Sequence, residues 1–309
     1  MFDQLPNSVL QMSMIFLSIV IEALPFVLLG CVISGALNVF LTPERVNRWL
    51  PKNKIASIAM GCGLGFFFPS CECGIVPIVN QFVKKEVPIY TAFAFMLTAP
   101  IINPIVIFST YIAFGNTLHY AFLRIVGSLF VAMVIGIWLA YFYRGDVLKQ
   151  KLAQEVAELA NEPHHKCEHH HHLEENVSFK QQIGHVLIHS LDEFFDTGRY
   201  LMIGGLIAAA MQTYLPTGVM MTLGSTEFLS IIIMLILAFT MSLCSEADAF
   251  IGSSLLSLFG TGPVVAFLVF GPMVDIKNLL MMKRYFSTKF IATMIGIIVV
   301  CVTFYAMVV

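Results

Sequence analysis

GCGLGFFFPSCECG, Gly61 to Gly74, is the stretch on which the fold turns: four glycines, one proline and a Cys71-Glu72-Cys73 triplet inside an otherwise apolar run from Ile55 to Val83. Glycine costs a helix interior about 1 kcal/mol relative to alanine, and proline about 3. A helix through this run is therefore expected to break near Pro69. Such a break matters in a bilayer, where non-helical backbone is tolerated only when protein or a water-filled cavity covers it.

The chain around it reads as an all-α integral membrane protein. Of its 309 residues 58% are hydrophobic and 12% charged, and the mean hydropathy is +0.84. Continuous apolar runs at about 9–41, 55–83, 88–113, 118–143, 183–214, 228–259, 262–282 and 285–309 suit helices rather than the alternating strands of a barrel. Membrane lipid is the expected surroundings, and a net charge of -2 gives no footprint for nucleic acid. The start, MFDQLPNSVLQ, lacks the basic region of a cleavable signal, so the first span is expected to be retained. No nucleotide-binding or kinase motif occurs. Neither a cofactor nor an enzymatic activity is expected.

The two halves resemble each other. IEALPFVLLGCVISG from Ile21 aligns without gaps to FDTGRYLMIGGLIAA from Phe195, matching Glu22 to Asp196 and Gly30 to Gly204. The same offset of 174 carries Glu72 onto Glu246 of SLCSEADAF, and a slightly smaller one carries Pro100 of LTAPIINP onto Pro272 and Asn103 onto Asp275 of GPMVD. The expected organisation is a first membrane repeat over 1–143, a His-rich linker over 144–182 and a second membrane repeat over 183–309.

Charge orients the repeats. Basic residues cluster at Arg45, Arg48, Lys52 and Lys54, at Lys84 and Lys85, at Arg144, Lys149 and Lys151, and at Lys277, Lys283, Arg284 and Lys289, whereas the connections at 115–118, 215–227 and 260–262 have none. If every run crossed the membrane, the groups at 45–54 and 84–85 would face opposite sides, against the positive-inside rule. A re-entrant hairpin over 55–83 removes the conflict, and a second over 228–259, breaking near LCSEAD, follows by symmetry. Each half then has about three full transmembrane helices plus one broken or re-entrant hairpin, and the odd number of crossings inverts the second repeat. Eight continuous, kinked spans are the rival.

The residues expected to carry chemistry lie at these breaks. Cys71 and Cys73 put two thiols on one small site, which Cys62 and Cys244 could join; thiolates favour soft ions, although a membrane cysteine also serves as a small packing residue. Glu22, Glu72, Asp196, Glu246, Asp248 and Asp275 lie in or beside apolar runs, where a charge costs about 2.5 kcal/mol or more. Glu22, Glu72, Asp196 and Glu246 are candidates for proton coupling, with Asp196–Arg199 and Asp275–Lys277 pairing as the structural alternative. Pro100, Asn103 and Pro104 predict an unwound or kinked helix whose freed carbonyls, with Asn103, line the same site. In the linker, His164, His165, Cys167, His169, His170, His171 and His172 form a tract suited to zinc, copper, nickel or cobalt; low-complexity drift is the alternative.

The combination of ALPFVLLGCVISG, GLGFFFPSCECGIVPI and LTAPIINPIVI resembles a bacterial family of predicted permeases that includes the trivalent organoarsenical efflux permeases (ArsP-like) and the YraQ and YcgR types. The resemblance covers nearly the whole chain, with PSCECG its most specific part. It implies a multi-pass permease of the bacterial plasma membrane with the His-rich loop in the cytoplasm. In an arsenical permease Cys71 and Cys73 would bind the arsenic, a third thiol from Cys62 or Cys244 completing a site for arsenite while a methylated arsenical needs only two. The histidine tract departs from that pattern and points to a transition metal.

The expected function is secondary export of a soft metal or metalloid species by alternating access with proton coupling. The alternatives are a membrane subunit of a larger assembly, with a partner protein or as a homo-oligomer, and a membrane thiol-disulfide enzyme.

Overall fold

In a computed structural model that describes residues 7–40, 50–68, 71–145, 147, 179–214 and 227–309, every regular element is helical. The first half contributes α1 (Asn7–Phe40), α2 (Lys54–Leu64, extended by a 3-10 turn Gly65–Phe67), α3 (Glu72–Lys84), α4 (Ile89–Ile102), α5 (Pro104–Ala113) and α6 (His119–Tyr141). The second contributes α7 (Phe179–Tyr214), α8 (Glu227–Met241), α9 (Ser245–Phe259), α10 (Thr261–Phe270), α11 (Ile276–Tyr285) and α12 (Thr288–Val308). Among the described residues four stretches, Ser8–Asn38, Ile89–Ala113, His119–Tyr141 and Thr288–Val308, are long and apolar enough to cross a membrane. The His-rich tract lies outside the described residues.

The breaks follow local chemistry. Pro104 lacks an N–H and disfavours a helical residue before it, so α4 stops at Ile102; Asn103 turns extended and its side chain accepts from the Ile105 N–H at 2.8 Å, starting α5. Asp275, also extended, accepts from the Asn278 N–H at 2.7 Å and starts α11. Between α8 and α9 the fully buried Ser242 adopts φ 49°, a left-handed conformation uncommon for a residue with a side chain.

Side-chain contacts give the helix directions. Ser57 and Thr91 hydroxyls meet at 2.7 Å, and Thr98 donates to the Cys62 carbonyl at 3.3 Å, so α2 runs parallel to α4. Residues 85–88 turn α3 back along α4, and Phe82 and Phe95 rings lie 5.3 Å apart. The α2 and α3 arms therefore run in opposite directions. In the same way, Gly252 lies against Leu268 and Val264, so α9 and α10 are antiparallel about Gly260. The long helices also pair: Ser34 meets Glu193 while Gly205 lies against Ile19 and Phe16, making α1 and α7 antiparallel. Tyr305 donates to the Leu123 carbonyl and Trp138 stacks near Phe290, making α6 and α12 antiparallel.

Helices α4 and α10 form the core; Phe93, Phe95, Leu97, Val264, Phe267 and Val269 are fully buried. Outer faces of α1, α7 and α12 expose Leu17, Ile21, Leu24, Leu187, Ile203, Leu206, Phe304 and Met307. Contiguous apolar surface on this scale is unusual in water and suits lipid. At one end of the molecule Lys54 donates to the Ala140 carbonyl at 2.9 Å and Lys85 to the Asn38 carbonyl at 2.7 Å. The end of α1, both ends of the α2–α3 pair and the end of α6 thus share one basic rim. Lys277, grouped with those loop cations on sequence, belongs elsewhere: it is 3% exposed and sits in the protein interior.

Candidate functional site: a thiol and carboxylate cleft

The interruptions bring three helix N-termini toward one another. Cys71 precedes α3, Cys244 precedes α9 and Asp275 precedes α11. Glu72, Glu246 and Asp248 occupy first turns of their helices, where the backbone N–H groups and the dipole favour a negative charge.

A narrow cleft is lined by Glu22, Cys71, Glu72, Cys73, Cys244 and Lys277, with an apolar wall of Ile19, Ala23 and Phe26 from α1. The thiols of Cys71 and Cys73 are within hydrogen-bond reach of each other. From the other half, the Cys244 thiol donates to the Glu22 carboxylate, and the exposed Glu22 marks where the cleft opens. None of the described cysteines is in a disulfide. Among the described residues no three His, Cys, Asp or Glu side chains form a ready-made metal cluster.

Behind the cleft lies a buried charge network. Lys277 Nζ is 3.7 Å from Glu72 Oε1. Glu72 also feels Asp275 and Glu246, and Asp248 feels Arg124, Glu72, Lys277 and Asp275. Four carboxyl groups, Glu72, Glu246, Asp248 and Asp275, thus face two bases, Lys277 and Arg124. With all ionised, the formal excess is two negative charges, a composition that favours a cation. Both Glu72 oxygens, Glu246 Oε2, Asp248 Oδ2, Asp275 Oδ2 and the hydroxyls of Ser242 and Ser245 are buried without a hydrogen-bond partner. So many unsatisfied acceptors in one place mark a site suited to a cation, protons or water.

Of the residues expected from sequence, Cys71, Cys73, Cys244, Glu22 and Glu72 line the cleft, and Glu246 and Asp275 stand behind it. Cys62 is on α2, its carbonyl bonded by Thr98. Asn103 caps α5 and its amide reaches the Phe68 carbonyl at 3.4 Å, tying α5 to the end of the α2 arm. Asp196 is half-exposed, paired with Arg199 and with Arg284. Asp275 caps its own helix, and Lys277 is paired with Glu72.

Sequence reasoning missed Arg124. It is 1% exposed and spends its guanidinium across the halves, donating to Leu268 O at 3.1 Å, Thr110 Oγ1 at 2.9 Å and Ser245 O at 3.0 Å. An arginine inside an apolar span is itself a pointer to function.

Broken helices, lipid-type outer faces and a polar cleft between them are the features of a permease, and residues 8–309 match the ArsP_1 family, described as predicted permease. The chain belongs to this family of predicted permeases. A "Putative two-component membrane permease complex subunit" of Streptococcus mutans is 51% identical over 308 residues, covering 100% of this chain and 98% of that protein. The "UPF0718 protein YcgR" of Bacillus subtilis is 46% identical over 296 residues, 96% of each chain. No solved structure matches the chain. As a member of the permease family it is a multi-pass membrane transport protein.

Proposed function

We propose that this permease exports a thiophilic species, a trivalent arsenical or a soft transition metal, from the cytoplasm by alternating access driven by protons. One observation carries the reading: Cys71, Cys73 and Cys244, thiols from both halves, line one cleft with Glu22 and Glu72. Soft sulfur ligands select soft ions, and the surrounding carboxyls supply proton sites. The paired thiols of Cys71 and Cys73 suit a methylated trivalent arsenical, which needs two sulfur ligands.

Two inverted repeats, over 1–143 and 183–309, provide the moving parts on this reading. It is supported by the antiparallel pairing of corresponding helices, α1 with α7 and α6 with α12: repeats related by an axis in the membrane plane place such mates head to tail. The α2 and α3 arms, 11 and 13 residues, span about 16 and 20 Å, about half and two thirds of the hydrocarbon core, too short for either to cross it alone. The positive-inside rule puts the basic rim, and with it the 144–182 linker, in the cytoplasm. There the His164–His172 tract would hold transition metal near the entrance.

Cellular content measured by elemental mass spectrometry tests this. Cells with the wild type retain less of one species among methylarsenite, arsenite, zinc, cadmium, copper, nickel and cobalt, and cells with Cys71→Ser/Cys73→Ser do not. Equal retention of every species overturns the thiophilic reading.

A second reading makes the chain the membrane subunit of a two-protein permease, favoured by the description of the Streptococcus mutans relative. A stoichiometric second chain on purification from its native membrane, and flux in liposomes only when that chain is present, would establish it.

A further inference from the structure

Helix α3 is covered on every side: each residue from Glu72 to Val83 is buried. Two long helices complete that cover. Gly30 of α1 lies against the Gly74 backbone, and the Ser34 hydroxyl approaches the Pro77 carbonyl at 3.4 Å. Helix α7, antiparallel to α1, packs on α11 through Gly204 against Lys277 and Leu280 and through the Asp196–Arg284 pair. Since α3 and α11 meet at Glu72 and Lys277, the α1–α7 pair seals one face built from two short helices.

A second face of the same construction is bare. On the proposed repeat organisation α9 answers to α3 and α5 to α11: Glu246 aligns with Glu72, and Asn103 caps α5 as Asp275 caps α11. Helix α9 packs on α10 and α5 as α3 packs on α4 and α11. Among the described residues, no long pair is seated on this face. Burial on α9 is confined to Ser245, Asp248, Ala249, Gly252 and Leu255, and on α5 to Val106 and Thr110. Phe108, Ile112, Phe250 and Leu258 are exposed.

Lipid is a poor cover for it. Helical periodicity puts Glu246 on one stripe with Phe250, Ser253 and Ser257, and Glu246 is only partly buried where Glu72 is almost completely so. A carboxyl turned toward hydrocarbon is costly. The outward Ser254 and Ser257 of α9 also contrast with the outward Leu17, Ile21 and Leu24 of α1; small residues mark helix–helix contacts in membranes. A second copy brings no free helix pair for the task, because its own α1 and α7 already cover its α3 and α11.

We propose that the α5–α9 face is the docking surface for a partner membrane protein, which lays an antiparallel pair of apolar transmembrane helices on it. One span lies against α9 and the other against α5, as α1 and α7 lie on α3 and α11. The inference rests on the two-protein reading and adds the surface and the kind of partner.

The test is photocrosslinking of the full chain in its native membrane. The photoreactive amino acid p-benzoylphenylalanine replaces Phe250 of α9, Phe108 of α5 or, as a control, Val300, exposed on α12, and the crosslinked peptides are sequenced by mass spectrometry. Adducts from positions 250 and 108 are expected in two different apolar spans of one second protein, the one that co-purifies in stoichiometric amount, with none from position 300. Ser254→Trp is expected to lower the co-purified protein about tenfold, the effect of one overpacked contact, at unchanged unfolding temperature; Val300→Trp leaves it unchanged. Ser257→Trp carries this arm if Ser254→Trp does not fold. Adducts to lipid alone or to this same chain overturn the proposal, as does full retention of the second protein by the tryptophan variant. A co-purifying protein that crosslinks only from position 300 overturns the proposal and leaves the two-protein reading standing, whereas absence of any stoichiometric second protein overturns both.

Discussion

Glu72 of the first half and Lys277 of the second face each other across the first turns of α3 and α11, Oε1 to Nζ 3.7 Å, both nearly fully buried. Removing one member of a buried pair strands the other charge and typically costs about 3–5 kcal/mol, whereas replacing both is often neutral. Glu72→Gln and Lys277→Met are each expected to destabilise the protein on that scale, and Glu72→Gln/Lys277→Met to recover most of the loss. Thermal unfolding of the four proteins in one detergent reads this; losses that simply add would show that the two charges act separately.

Arg124 makes three hydrogen bonds with three different nitrogens, to Leu268, Thr110 and Ser245. Arg124→Ala leaves buried acceptors and Asp248 without this partner and should cost about 3 kcal/mol or more. Arg124→Lys restores the charge but not the planar fork, so it should recover less than half. Full recovery of unfolding temperature by lysine would mean that charge alone matters there.

Close backbone approach sets a third expectation. A Cβ on Gly30 would collide with the Gly74 backbone, and one on Gly204 would sit 2.9 Å from Lys277 Cα. Alanine at either position should destabilise by about 1–3 kcal/mol through overpacking. Alanine at Gly63 or Gly296, where a Cβ meets nothing within 4 Å, should be neutral or slightly stabilising through helix propensity. The same unfolding assay separates the two pairs.

The helical character and the helix breaks were legible in the sequence because both are written locally. Gly and Pro residues around Phe68, the Asn103-Pro104 pair and Asp275 mark places where one described helix ends and the next begins: Phe67 to Glu72, Ile102 to Pro104 and Phe270 to Ile276. The alignment of Glu72 with Glu246 anticipates two acids at corresponding helix starts. Pairing across the halves was not legible. Lys277 lies close in sequence to the loop cations Lys283 and Arg284, and only tertiary packing turns it toward Glu72. Arg124 stands alone in an apolar span, and its partners are mostly backbone carbonyls, which no side-chain pattern advertises. Glu193 sits among other polar residues toward the middle of α7, so its burial depends on how α1 and α3 cover it.

The hairpin makes a prediction of sidedness. Lys52 before α2 and Glu86 after α3 are both exposed, and on the proposed topology both face the cytoplasm. Cysteines introduced at the two positions should react with a membrane-impermeant maleimide only from the cytoplasmic side, and one at Asn116, on the turn between α5 and α6, only from outside. Labelling at 52 and 86 from opposite sides would replace the hairpin with a full crossing.

The proposed function requires sulfur atoms of the cleft to hold the cargo. X-ray absorption of the purified protein loaded with methylarsenite, or with cadmium, reports the atoms bound to the ion. At least two sulfur neighbours are expected in the wild type, and their loss in Cys71→Ser/Cys73→Ser. A first shell of oxygen and nitrogen alone, or sulfur neighbours that persist in the double variant, would contradict it.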